Sequence, residues 1–339
     1  MPKPEHILVI RLSAMGDVAM TVPVLRALTQ QYPDLKLTVL TKAFFKPLFR
    51  DVANVSVFEA DIKGKHKGIF GLYNLSKSLK KTNFDAVADL HNVLRSNMLK
   101  LFFFGKNVIQ IDKGRAEKKA LISGKTVEQL RTTYQRYADV FEALGYPIDL
   151  SNPMFTKPSK LKPSSIELIG DDSKPLIGIA PFAAFKGKAY PLAQMETVIE
   201  SLSKAYKILL FGAKGNEAQK LQTIADKNDN VISLAGKLGL NDELDVISNL
   251  KLMISMDSGN AHLAAMQGVN VLTVWGVTHP YAGFYPFDQD EANAVLADRT
   301  QFPKIPTSVY GNTFPEGYEE VFSTISPEMI LEKAKMILK

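Results

Sequence analysis

The sequence predicts an α/β protein made of two doubly wound, parallel-sheet domains that face each other across a cleft. Three observations lead there. Short apolar runs alternate with helical patterns along the chain, the signature of βαβ units. The 339 residues are long for one hydrophobic core and suit two domains of ordinary size. Between the alternating halves lies a segment rich in Pro, Ser and Lys, from Pro147 to Pro175, which reads as a linker. The domains are placed at 1–160 and 161–325. A C-terminal helix over 326–339 is left to pack back on the first domain.

The elements follow in order. Strands are expected at Ile7–Ile10, Leu37–Leu40, Val55–Phe58, Ala86–Asp89 and Val108–Ile111. Each is a short apolar run, the form a strand of a covered sheet takes. Helices are expected at Met20–Gln31, Phe44–Arg50, Gly71–Lys81 and Thr126–Leu144. In the second half the strands are Leu176–Ile179, Lys207–Phe211, Val231–Ser233, Leu252–Ser255 and Val271–Trp275. Their helices are Leu192–Lys204, Glu217–Lys227, Asp242–Ser248 and Ala261–Gln267, and Pro327–Leu338 is amphipathic.

The most informative stretch is Met256 to Ala265. An apolar run ends there in a small polar turn, Asp257-Ser258-Gly259-Asn260, followed by an Ala- and Leu-rich helical pattern. Such a turn aims free backbone N–H groups at one spot and suits a diphosphate. It reads equally as an ordinary helix start with Asp257 or Ser258 as N-cap.

Composition narrows the classes. No apolar run reaches the roughly 20 residues that span a bilayer. Ile7 to Ile10 is too short for a signal-peptide core, and Arg11 breaks it. Zero cysteines exclude disulfides, thiolate nucleophiles and Cys-based zinc sites. A cytoplasmic enzyme is the expectation. Residues 1–160 carry a net +11 and residues 161–339 a net −5. Two stretches hold most of the excess, Ile62–Lys81 and Lys100–Arg136. Blocks of this kind draw polyanions or anionic membranes, or stand as solvated basic faces. No basic motif interleaved with aromatics and no helix-turn-helix pattern points to nucleic acid, so none is expected as a partner.

Several chemistries lack their motif. The turn after the first strand, Arg11 to Asp17, holds one glycine where a dinucleotide fingerprint needs three. No Walker A and no Gly-x-Ser-x-Gly elbow occurs. His6, His66, His91, His262 and His279 are scattered, with no His-x-x-x-His pair. Asp89, His91 and Asp257 are the one metal set worth weighing, and no metal is expected. What remains is an anion-binding turn in one domain, and a carboxylate with a basic face in the other. That combination suggests transfer from an activated phosphate donor to an anionic acceptor.

Four segments, in order, carry a family resemblance. They are Ile10-Arg11-Leu12-Ser13-Ala14-Met15-Gly16-Asp17-Val18, Asp89 to Ser96, Leu234-Ala235-Gly236-Lys237, and Asp257 to Ala265 continued by Val274 to Pro280. Over nearly its whole length the chain resembles the bacterial heptosyltransferases. These are inverting glycosyltransferases of the two-domain, Rossmann-like GT-B fold that build lipopolysaccharide core.

The resemblance implies the roles. Asp17 matches the family's base, which takes the acceptor hydroxyl proton; read alone it is a helix N-cap. Lys188, before Tyr190-Pro191, matches the phosphate-contacting lysine, and Lys186 could share that task. Ser258 and Gly259 would hold the diphosphate from the other side, with Gly16, Gly236, Lys237, Asp257 and Thr278 completing the donor site. Glu217 matches the ribose-binding acid, and is otherwise a first-turn Glu that complements its helix dipole. His262 contacts the donor or makes a structural hydrogen bond.

His91, Arg95, Lys113, Arg115, Lys118 and Lys119 are assigned to the acceptor, an anionic glycolipid at the inner face of the cytoplasmic membrane. The donor is a nucleotide sugar, ADP-heptose by resemblance, with no cofactor and no metal. His279 and Asn260 depart from the family pattern, and Pro181-Phe182-Ala183-Ala184 lacks its Gly/Ser-rich turn. A nucleotide-sugar epimerase and a non-catalytic nucleotide-sugar-binding protein remain as alternatives.

Overall fold

Every residue from Ile7 to Ile10 is apolar, and in the computed structural model all of them are buried. They form the middle of a five-stranded parallel sheet of order β3-β2-β1-β4-β5. A strand covered on both faces has no solvent side for polar residues, so the run is continuous. The strands are β1 His6–Ile10, β2 Lys36–Thr41, β3 Val55–Glu59, β4 Ala86–Asp89 and β5 Asn107–Gln110. A second parallel sheet has six strands in the order β11-β10-β9-β6-β7-β8. They are β6 Leu176–Ala180, β7 Lys207–Leu210, β8 Val231–Ser233, β9 Leu252–Met256, β10 Asn270–Trp275 and β11 Ala294–Leu296. The structure describes residues 3–170 and 173–339.

The expected pair of doubly wound sheets is thus present, one in each of two compact units. The first unit runs to Lys113 and adds Thr133–Met154; the second comprises Gly114–Thr132 and Phe155–Lys339. In the first, Leu72, Leu75 and Leu79 of the helix Gly68–Lys80 pack with Leu99 and Phe103 onto Leu8, Ile10, Phe84 and Val87. The Phe84 and Phe103 rings meet edge to face at 5.2 Å. Fully burying each such side chain stabilises the fold by about 1.5–3 kcal/mol. In the second unit, Ile177, Ile179, Leu252, Ile254 and Leu272 form the core with Val198, Leu202 and Leu221 from its helices.

The structure differs from expectation in five places. The expected helix Thr126–Leu144 begins at Thr133. Its first part is drawn out instead: Leu130 N–H donates to Tyr281 O (3.0 Å) and the Leu130 side chain is buried with Leu121 and Ala282. That packing assigns 114–132 to the second unit. Phe44–Arg50 is a 3-10 helix, Ala43–Phe49, because Pro47 inside it lacks the N–H an α-helix would use. The expected linker is tied down at both ends. Gln31 and Tyr32 side chains donate to Asp149 O and Pro147 O (2.7 and 2.8 Å), and Ser159 N–H donates to Ser248 Oγ (2.9 Å). Within it Pro163–Ile169 is helical, and its residues 171–172 lie outside the described residues. The C-terminal helix Pro327–Ile337 was expected against the first domain; its buried Ile330 and Ala334 pack into the second unit's core. Finally, the short strand β11 and the helices Leu94–Phe102 and Arg115–Ile122 were not among the expected elements.

Candidate functional site

In an open parallel sheet, ligands bind beyond the C-terminal ends of the strands where the strand order reverses, because two loops diverge there and leave a crevice. In the first unit that point lies between β1 and β4, with Ile10 beside Asp89. The loops that leave it are Arg11–Ala14 and Leu90–Val93. In the second unit it lies between β6 and β9, with Ala180 beside Ser255. The loops there carry Lys188 and Asp257-Ser258.

Asp17 sits in the first turn of the short helix Met15–Ala19, with Gly16 half-buried beside it. The Arg11 guanidinium lies 2.5 Å from Asp17 Oδ2, and Ala14 N–H donates to the same oxygen (3.2 Å). Arg11 is itself buried, donates to Leu90 O (2.6 Å) and lies over the Tyr137 ring (5.9 Å). Tyr137 hydroxyl donates to Asp17 O (3.2 Å). Asp17 therefore works less as an isolated cap than as one end of an anchored ion pair. Both contacts converge on Oδ2.

The neighbouring loop is held by the buried Asp89. Its Oδ1 accepts from His91 N–H (3.0 Å) and Asn92 N–H (2.9 Å), and its Oδ2 from Gln110 Nε2 (2.8 Å). Asn92 has φ +42°, a conformation that Asn tolerates better than most residues. Burial, and then the Arg11 guanidinium, push the His91 imidazole down to about 4. Lys113 adds to the same shift, which places it in the field of this loop. Arg95 is half-buried in the first turn of Leu94–Phe102. Arg115, Lys118 and Lys119 sit on the helix Arg115–Ile122 of the second unit, away from the domain assigned to them by sequence. Lys118 Nζ lies 4.3 Å over the Phe284 ring.

In the second unit Lys188 ends a 3-10 turn, Lys186–Lys188. Its Nζ lies 3.1 Å from Asp257 Oδ2, with the two side chains 15% and 8% exposed. The buried Thr278 hydroxyl donates to the same carboxylate oxygen (3.0 Å). The register Val274 beside Met256 brings the loop after β10 to Asp257. Lys186 is exposed, so the geometry separates the two lysines. Ser258 is the N-cap of Gly259–Ala265, but its hydroxyl pairs with Ser255 Oγ (3.0 Å) and does not cap the helix. Ser258, Gly259 and Asn260 are half-exposed between buried neighbours. Asp257 thus fixes Lys188 and Thr278 around an open turn.

Glu217 is half-buried in the first turn of Asn216–Ala225, and its Oε2 accepts from Ala213 N–H (2.7 Å), closing the loop after β7. That loop touches the next one: a Cβ on Gly236 would lie 2.7 Å from Lys214 Cγ. Lys237 is exposed and pairs with Gln222 Oε1 (3.0 Å). His262 is buried in its helix. His279 is buried too. Its Nδ1 accepts from Tyr281 N–H (3.2 Å), and burial followed by Arg299 pushes it down to about 4.

Two features escaped the sequence reading. Arg11 is one; a charged residue directly after a buried strand was the available signal. The other is the loop around Gly311. A Cβ there would meet Lys188 Cγ at 2.3 Å and Thr278 Cγ2 at 3.3 Å, so this loop walls the lysine stem. No local pattern marks it. Among the described residues no group of three or more His, Cys, Asp or Glu side chains is placed to hold a metal, and Asp89, His91 and Asp257 form no such group.

The sequence model of Glycosyltransferase family 9 (heptosyltransferase) matches residues 72–310. Lipooligosaccharide heptosyltransferase 2 of Haemophilus influenzae is 26% identical, over 98% of this chain and 99% of that one. The fold is shared with a glycosyl transferase family 9 structure from Veillonella parvula, with TM-score 0.77 and 20% identity over 98% and 97% of the two chains. It is shared also with E. coli ADP-heptose lps heptosyltransferase II, with TM-score 0.70 and 20% identity over 98% of each chain. The two parallel sheets of this chain thus have the GT-B fold that the resemblance implied.

Proposed function

Because the chain belongs to glycosyltransferase family 9, the heptosyltransferases, we propose that it moves heptose from ADP-heptose onto a lipopolysaccharide-core acceptor, with inversion and without a metal. The donor and acceptor are those named for its relatives. The observation that carries the reading is the Lys188–Asp257–Thr278 cluster beside the uncapped Ser258–Gly259 turn, at the switch point of the second sheet.

The acceptor hydroxyl oxygen bonds to the anomeric carbon as the bond from that carbon to the diphosphate breaks. Attack from the face opposite the leaving group inverts the centre. The hydroxyl proton passes to Asp17. Arg11 and the Ala14 amide hold Oδ2, which leaves Oδ1 for the hydroxyl. The departing ADP gains negative charge, and Lys188 with the Gly259 and Asn260 amides stabilises it. Lys188 needs no large movement to meet a phosphate, since Asp257 already holds its ammonium beside the turn. Glu217 is assigned to the ribose hydroxyls, and Gly16, Gly236 and Lys237 to the donor's edge. His91, Arg95, Lys113, Arg115 and Lys119 are assigned to the anionic acceptor.

The test is Asp17→Asn with ADP-heptose and a core-type acceptor. Heptose transfer is expected to fall at least about a thousandfold while calorimetric ADP-heptose binding persists. Near-normal transfer by this variant would remove Asp17 from the chemistry, and unmeasurable ADP-heptose binding by the unaltered chain would end the donor assignment.

A further inference from the structure

Helices Gly68–Lys80 and Leu94–Phe102 pack their inner faces on the first sheet, through Leu72, Leu75, Leu79 and Leu99. Their outer faces carry the expected polar residues, but large apolar side chains as well. Phe70 is 82% exposed, Leu94 79%, Leu101 76%, and Phe104 just beyond the second helix 97%. Ile69 and Tyr73 are exposed as well. Phe70 and Tyr73, three residues apart, share one face of their helix, as do Leu94 and Leu101, seven apart on theirs. The Tyr73 and Phe102 rings meet at 5.6 Å and join the two faces into one patch. Apolar residues exposed singly are ordinary; a contiguous set this large marks an interaction surface.

The charge around the patch selects the partner. From Ile62 to Lys106 the chain carries Lys63, Lys65, Lys67, Lys77, Lys80, Lys81, Arg95, Lys100 and Lys106. The acids in that stretch are Asp85 and Asp89. Asp85 accepts from Glu5 and His6 N–H, and Asp89 is buried. Lys77 lies 4.6 Å over the Tyr73 ring, an ammonium set directly on the apolar face. Large apolar side chains ringed by lysines fit a surface with a greasy interior and a negative skin.

We propose that this face is a docking surface for an anionic lipid bilayer. Phe70, Leu101 and Phe104 enter the acyl boundary while the lysines meet the headgroups. The proposal is independent of the transfer reaction, and vesicle binding by the whole chain tests it.

The unaltered chain should co-sediment with phosphatidylglycerol-containing vesicles, much less with pure phosphatidylcholine, and less as salt rises. Phe70→Ser with Leu101→Ser and Phe104→Ser should abolish co-sedimentation. Lys63→Glu with Lys65→Glu and Lys67→Glu should weaken it at least about a hundredfold, at about fivefold per lysine. The lone tryptophan, Trp275, is buried. Phe70→Trp should therefore blue-shift its emission on anionic vesicles and be quenched by brominated lipid, whatever the stability of the triple variants. Equal binding to neutral and anionic vesicles, unchanged binding by the serine variant, or an unshifted Phe70→Trp spectrum would overturn the proposal. So would a dimer that the serine variant abolishes without any vesicle binding, which would give the face to a second copy of the chain.

Discussion

Lys188 Nζ lies 3.1 Å from Asp257 Oδ2, and both residues leave the second sheet at the point where its strand order reverses. Asp257 is the more buried partner and also accepts from Thr278, so it is the fixed element and Lys188 the one it aims. An ammonium already desolvated and oriented spends little further ordering entropy when a phosphate arrives.

Lys188→Ala should lower kcat about a hundred- to a thousandfold, the range for a leaving-group stabiliser. Lys186→Ala, at an exposed position, should stay within about twofold. Asp257→Asn should cost about ten- to a hundredfold in kcat/KM through the lost charge-assisted bonds. Steady-state kinetics with ADP-heptose varied separates the three. Equal effects at both lysines would refute the division of labour.

Arg11→Met removes the guanidinium that ties Asp17 to Leu90 O. Stability should fall by about 1–3 kcal/mol, measured by urea unfolding, because Asp17 and the Leu90 carbonyl lose a largely buried partner. Turnover should fall with it while the donor Kd is unchanged. A variant with full turnover would show that Asp17 needs no anchor.

His91 and His279 are both held down at about 4 in the folded chain, against an ordinary 6.5. As pH falls below 6.5 the unfolded chain takes up protons that these buried rings refuse. Their contribution is fully present above 6.5 and is lost progressively toward pH 4, by up to about 3 kcal/mol each. Thermal melts at pH 7 and pH 4.5 should show the loss, and His279→Gln should flatten part of it. A melting temperature independent of pH across that window would contradict the burial argument.

Gly311→Ala should damage the donor site without touching any charge. Its Cβ would fall 2.3 Å from Lys188 Cγ, at φ +72° where L residues are strained. Donor affinity should weaken about three- to tenfold, by calorimetry, as the lysine stem is displaced. Unchanged affinity would mean that the loop yields instead.

Charge reversal at Lys113, Arg115 and Lys119 should raise the acceptor KM and leave donor affinity alone. Lys118 is best spared, because it also packs on Phe284. Kinetics with each substrate varied decide it, and a donor-side defect would remove these residues from the acceptor assignment.

The strands were legible because each is a run of apolar residues with a physical requirement behind it. Ile7–Ile10 and Leu252–Met256 are buried throughout, with Ser255 the one polar residue among them. The turn at Asp257–Asn260 was legible for a similar local reason: small polar residues between a strand and a helix. The start of the helix at Thr133 was not legible. Residues 126–132 have helical propensity, and Tyr281 and Ala282, far along the chain, draw them away. The 3-10 form of Ala43–Phe49 was readable in Pro47. The Gly311 wall was not, since a glycine says nothing of which distant side chain occupies the space it leaves.

The sequence by itself determined the two-sheet plan, the family, and the segments in which Asp17, Lys188 and Ser258 stand. These rest on short-range patterns: periodicity, turn chemistry and motifs in order. Only the tertiary structure decided that Arg11 grips Asp17, that Asp257 aims Lys188 and not Lys186, and that the Arg115–Ile122 helix belongs to the second unit. Those outcomes depend on which loops the parallel register places side by side, and that is set by packing between residues remote in sequence.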